Sequence, residues 1–231
     1  MKKAEANLIT GGLSAPSKMP CKGFSIPAST CNVGTMLRKV PGSTCSACYA
    51  LKGRYMFPNV QRALQRRLDA LQVALAGGPG SILWGRWLDA MGTLIGSDRF
   101  FRFHDSGDLQ SVLHLELYCY LAEEKTGCRF WLPTRESATL RRHGRHIPAN
   151  LLVRFSGPML NRPAKLTIDG RKWSHYSEVW TRDQVATDAP APRGFSVNGR
   201  WVCTAPTTGG KCADCRACWD PKIPTVIYIK H

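Results

Sequence analysis

Apolar residues fall into a helical rhythm after residue 58. Val60, Leu64, Leu68, Leu71 and Leu75 recur at three- and four-residue spacing, with Arg62, Arg66 and Gln72 turned the other way. Asn59 is placed to cap this helix and Gly77-Gly78-Pro79-Gly80 to end it. Ser81 opens a second, in which Trp84, Trp87, Leu88, Met91 and Ile95 make one stripe. Short apolar runs then take over: "FFRFH" from Phe100, "CRFWLP" from Cys128 and "NLLVRFS" from Asn150 each predict a strand. A third helix is expected over about 108–125, with Val112, Leu115, Cys119 and Ala122 on its stripe and Asp108 as its cap. A short helix over 137–143 ends at Gly144, and later strands are expected over 178–181, 201–204 and 225–230. Strand–helix–strand alternation predicts one α/β domain over residues 1–231, either a partial (β/α) barrel or an open, mostly parallel sheet. In both architectures chemistry gathers at the carboxyl ends of the strands.

Residues 12–58 break the rhythm. They are rich in Gly, Pro, Ser, Thr and Cys, and so need something other than a core to order them. A second cysteine-bearing loop covers 203–220. With 231 residues the chain can bury a sizeable core, so disulfides are not needed to hold it. The opening "MKKAEANLITGGLSAPSKMP" has no apolar run behind its lysines, and no stretch is long and apolar enough for a membrane span. The expectation is a soluble protein of the cytoplasm, the host cytoplasm if the chain is viral. Ten cysteines in that reducing compartment point to metal or cluster ligation.

Cys119, on a helical stripe, and Cys128, opening a strand, read as small hydrophobes. The other eight fall into two groups: Cys21, Cys31, Cys45 and Cys48, then Cys203, Cys212, Cys215 and Cys218. "KCADCRACWD" carries Cys-x2-Cys-x2-Cys with Cys203 nine residues upstream, a spacing that wraps three corners of a cubane and leaves a remote fourth. Zinc more often takes two pairs with a longer gap between them. Cys45 and Cys48, with Cys31, make a looser set that serves a second cluster or completes a shared one with Cys215 and Cys218. Cys21 is the spare or fourth ligand. A dithiol oxidoreductase built on Cys45 and Cys48 is a further alternative.

Beyond the strand at 100–104, "HDSGDLQS" turns polar. His104, Asp105 and Asp108 are candidate catalytic groups, with Gly107 allowing a tight turn and Arg135 and Glu136 expected at the same end of the sheet. The net charge is +16, and nine Lys/Arg lie between Arg135 and Lys172 against Glu136 and Asp169. Such a field attracts nucleic acid or anionic small molecules. With Trp173, Tyr176 and Trp201 nearby, it supports the alternative of a zinc-binding, nucleic-acid-binding protein.

"SKMPCKGFSIPASTC", "CSACYALKGRY", "FRFHDSGDLQS" and "KCADCRACWD", in that order, resemble the phage gene product 88 family over nearly the whole chain, which implies a viral origin. More distantly, "CSACYA" and "HDSGD" are similar to radical S-adenosylmethionine enzymes. That resemblance implies a 4Fe-4S cluster on three cysteines with one iron open to S-adenosylmethionine, and auxiliary clusters on C-terminal cysteines. The family's Cys-x3-Cys-x2-Cys is not met, because Pro41 stands four positions before Cys45. The expected protein binds one or two 4Fe-4S clusters, takes electrons from a donor protein and works in redox or radical chemistry.

Overall fold

The computed structural model describes residues 1–188, 196–197 and 200–230. In chain order the helices are α1 (Lys3–Thr10), α2 (Asn32–Leu37), α3 (Pro58–Gly77), α4 (Ile82–Ile95), α5 (Val112–Glu124), α6 (Ser137–Arg142) and α7 (Arg182–Asp188). The strands are β1 (Gly23–Phe24), β2 (Phe100–Phe103), β3 (Arg129–Thr134), β4 (Leu151–Ser156), β5 (Thr167–Ile168), β6 (Arg171–Lys172), β7 (Tyr176–Trp180), β8 (Ser196–Val197), β9 (Arg200–Val202) and β10 (Thr225–Ile229). Eight of them form one sheet in the order β1-β2-β3-β4-β7-β10-β9-β8, and β5 and β6 make a separate hairpin. Every neighbouring pair in the sheet is parallel except β8 with β9. The sheet stays open, so of the two expected architectures the open one is found.

Alternation along the strands separates two faces. Phe101 and Phe103 of β2, Phe130 and Leu132 of β3, and Leu151, Val153 and Phe155 of β4 point into one core with Trp87, Met91, Leu115 and Tyr118 from the helices. Successive strand side chains point to opposite sides, so Arg102, Trp131 and Arg154 occupy the other face. Trp219 covers it: its Nε1–H donates to the Phe101 carbonyl at 2.8 Å, and its ring meets Phe100 and Trp131 edge-on.

The helix stripes expected from the sequence are buried except at their ends, where Val60, Leu75 and Val112 are half-buried, and two caps differ. Phe57, not Asn59, is the N-cap of α3, because Pro58 takes the first helical position, where its missing N–H goes unused. Helix α5 begins four residues later than expected, and Ser111 Oγ caps it by accepting from the His114 N–H at 3.2 Å. Asp108 is occupied elsewhere. Ser81 caps α4 as expected, accepting from the Trp84 N–H at 3.1 Å. No helix among the described residues is long and apolar enough to cross a membrane.

Candidate metal centre

The N-terminal cysteine loop is fastened over the carboxyl ends of β3 and β4. Glu136, just past β3, accepts the Val33 N–H at 3.0 Å, placing a carboxylate at the first turn of α2, directly after Cys31. Thr44 donates its N–H to the Pro158 carbonyl at 2.8 Å and its hydroxyl to the Gly157 carbonyl at 3.0 Å, both just past β4. Ser43 caps the turn carrying Cys45 by accepting from the Ser46 N–H. These bonds bring Cys31 and Cys45 together over Gly34. A Cβ at residue 34 would lie 3.6 Å from the Cys31 sulfur and 3.7 Å from the Cys45 sulfur. Burial pushes the Cys31 thiol up to about 12, with Asp108, Cys48 and Cys45 adding to the shift. Burial raises Cys45 as well, while the Arg135 cation opposes it.

The second set is larger than the sequence indicated. Cys203 follows β9 and donates its N–H to the Ile227 carbonyl; Cys212, Cys215 and Cys218 lie on the loop that crosses the open face. Cys212 donates its N–H to the Lys18 carbonyl at 3.0 Å, and its sulfur lies 3.9 Å from that of Met19. This joint brings in Cys21, whose thiol feels Arg102 and Cys212 most after its own burial. Cys21 therefore groups with the C-terminal thiols, leaving Cys31, Cys45 and Cys48 as a set of three. The structure gives no direct pairing of Cys45 or Cys48 with Cys215 or Cys218. Burial pushes Cys21 and Cys218 up to about 12, and raises Cys203 and Cys212. A thiol in such surroundings keeps its proton at ordinary pH and releases it to solvent when a cation binds the sulfur.

Arg154 holds the second set in place. It is fully buried on β4, and its guanidinium donates to five carbonyls: Ala217, Cys218 and Asp220 on the loop, Tyr176 and Pro224 on the adjoining strands. Cys218 also shares a 3.1 Å hydrogen bond with the Tyr228 hydroxyl. Between the two sets stands Arg102, stacked over Trp131 at 4.4 Å. Burial works against its charge, and Tyr49, Asp105, Tyr228 and Cys218 around it outweigh burial.

The three candidate catalytic groups separate. Asp108 is buried and fully engaged: one oxygen accepts from the Thr134 hydroxyl at 2.6 Å and the Leu109 N–H, the other from the Arg135 N–H. It ties the turn after β2 to the end of β3. His104 sits at φ 56° with its ring turned toward the helices, 3.2 Å from the Tyr118 hydroxyl. Burial lowers it to about 3, so it is neutral at ordinary pH. Gly107, at φ 82°, passes so close to Ile26 that a Cβ would meet its carbonyl at 2.8 Å. Asp105 is held by two tyrosines: its carbonyl accepts from Tyr49, which follows Cys48, one carboxylate oxygen accepts from Tyr55, and the other is buried without a partner. The buried Nε of Arg102 and the indole N–H of Trp131 are unpartnered as well. Tyr55, Arg102 and Arg154 carried no sequence signal, because their roles depend on which loops cross the sheet.

Among the described residues no group of three or more His, Cys, Asp or Glu side chains is drawn together tightly enough for a single metal ion. A tetrahedral zinc about 2.3 Å from each sulfur requires the sulfurs nearly in contact; a cubane holds them further apart. Thiolates are ligands for either group. Cys119 and Cys128 are buried and take no part in either set.

An open parallel α/β sheet with thiols gathered in two places on its loops defines a cysteine-rich protein of the α/β class. The model of the family described as gene product 88 matches residues 1–221. The chain belongs to this phage family. No curated protein and no solved structure gives a significant match, and none of these comparisons extends to radical S-adenosylmethionine enzymes.

Proposed function

We propose that the chain is a phage iron–sulfur protein acting in redox chemistry. Cys31, Cys45 and Cys48 hold one 4Fe-4S cluster, and Cys203, Cys212, Cys215 and Cys218 hold a second, with Cys21 beside them. The approach of the Cys31 and Cys45 sulfurs to one small space over Gly34 carries this reading. Three thiolates leave one iron without a protein ligand, which gives the first site a place for a small molecule such as S-adenosylmethionine in addition to electron transfer. Asp105 is tied to Tyr49, the residue after Cys48, and one of its carboxylate oxygens is left without a hydrogen-bond partner. A donor protein supplies the electrons.

Metal and sulfide analysis of anaerobically purified protein, with electron paramagnetic resonance of the reduced form, tests the proposal. The expected result is brown protein with iron and sulfide in equal amounts. Cys45→Ser and Cys215→Ser should each remove one cluster's share. Colourless protein with stoichiometric zinc, lost on the same substitutions, would replace this reading with a zinc protein that binds nucleic acid.

A further inference from the structure

The basic stretch at 135–172 keeps Arg141, Arg142, Arg162, Lys165, Arg171 and Lys172 exposed, but no large apolar side chain is exposed among them. Arg154 is buried, Arg145 pairs with Glu116 and Glu123, and the indole of Trp173 donates inward to the Val153 carbonyl. Tyr176 turns its hydroxyl to the Leu166 carbonyl. Around the three-cysteine set cations and exposed aromatic rings come together. From Ala6 to Leu68 the chain contains no Asp or Glu and nine Lys or Arg. Lys39, Lys52, Arg54, Arg62 and Arg66 are exposed there, and among the described residues none of them makes an ion pair.

Large apolar side chains lie exposed among these cations: Met36 at 65%, Tyr49 at 57%, Met56 at 55% and Phe57 at 54%. They lie on neighbouring elements: α2 packs on the turn at 44–47, the turns at 49–51 and 53–56 pack on each other, and the latter packs on α3. Tyr49 and Tyr55 stand with ring centroids 5.8 Å apart. A partner protein's acidic patch could meet the charge. The favoured occupant is instead a flexible polyanion with flat faces, because aromatic rings interleave with unpaired cations and the whole chain is at +16.

We propose that this face binds single-stranded nucleic acid and brings a nucleotide to the Cys31–Cys45–Cys48 site, making nucleic acid the substrate class of that site. Lys52 and Arg54 neutralise phosphates, and Phe57 and Tyr49 stack bases. The binding itself needs no particular metal; only the consequence for the site rests on the iron–sulfur reading.

Fluorescence anisotropy of the full chain, as purified, with a labelled single-stranded oligothymidylate tests it. Wild-type affinity should fall steeply with salt. In Lys52→Ala/Arg54→Ala the slope of log K against log salt should flatten by about 1.4, for two phosphate contacts at about 0.7 each. Phe57→Ala should weaken binding about tenfold. Arg141→Ala/Arg142→Ala, on the exposed end of α6, should leave binding unchanged. Photocrosslinking of a bromodeoxyuridine strand to the wild-type chain, expected at residues 49–57, gives the answer even if a variant fails to fold. Binding confined to duplex, crosslinks confined to 135–172, or no binding at low salt would overturn the proposal, as would capture of an acidic protein by this face while oligothymidylate is ignored. Iron content is read separately, so failure of the metal reading shows as zinc or no metal beside intact strand binding.

Discussion

The two cysteine regions use the same ligand and opposite supports. The C-terminal loop lies against a sheet face, where Trp219 packs on Phe100 and Trp131 and one guanidinium holds three of its carbonyls. The N-terminal loop stands on strand ends, tied down by Glu136 and by Thr44 on residues 157 and 158, with its outer side exposed. One region is locked by a buried cation and the other is edged by free ones. A locked site suits a cofactor that stays put; a site with an open rim suits chemistry on something that arrives. Arg102 lies between them and feels both Asp105 and Cys218.

The sharpest way to break this contrast is Arg154→Met. Removing the guanidinium strands five buried carbonyls, and a loss of about 3–5 kcal/mol is expected from the penalty of unpairing buried polar groups. Denaturant unfolding measures it. Arg154→Lys should not rescue, since an ammonium cannot reach five acceptors in a planar fan. Alkylation of Cys215 and Cys218 in native protein should speed up while Cys31 and Cys45 are unchanged. Equal loosening of both sets would mean that the two regions share one support.

That arginine also shows where sequence reading stops. The stripes of α3 and α4 were legible because a helix buries one face, and β2 to β4 because apolar runs between turns have few other uses. Arg154 read as surface charge, since a cation satisfied by main-chain carbonyls leaves no acidic partner to notice. Cys21 read as a neighbour of Cys31, ten residues away; its actual neighbour Cys212 comes through the contact of Lys18 and Met19 with the far loop. Asp108 reads from the sequence as both a candidate catalytic group and a helix cap; the cap is Ser111, because Thr134 and Arg135 claim the Asp108 oxygens. Chain-local patterns survive folding; partnerships made across the sheet do not show in them.

The next effect belongs to neither region. His104 has a folded pKa near 3 because it is buried, against an ordinary value of 6.5. Between those values the unfolded chain binds a proton that the folded chain refuses, so stability falls as pH drops from 6.5 toward 3. The slope is about 1.4 kcal/mol per pH unit. His114, lowered by burial and by His104 itself, acts in the same direction, and the raised carboxyl of Asp108 opposes both. His104→Asn keeps a residue that tolerates φ 56° and cancels the shared terms in the comparison with wild type. The variant's unfolding free energy should depend less steeply on pH over 4–6. An unchanged profile would put His104 on the wet side of the turn, among the cysteines.

The smallest change in stability should give the cleanest statement about the open region. Gly34→Ala adds one methyl, 2.9 Å from the Cys31 Cβ and between two sulfurs. In helix α2 the added alanine contributes about 1 kcal/mol of propensity, which offsets the crowding, so folding should move by no more than about 1 kcal/mol. The metal should respond quite differently. In a Cys215→Ser background, where only the N-terminal set remains complete, the methyl occupies the space that the Cys31 and Cys45 sulfurs share, and bound iron should fall to near zero. A protein that keeps its iron with this methyl in place, yet loses it in Cys31→Ser, would show that the sulfurs converge on some other point. The openness inferred for the region would then have to be sought on the far side of Cys48.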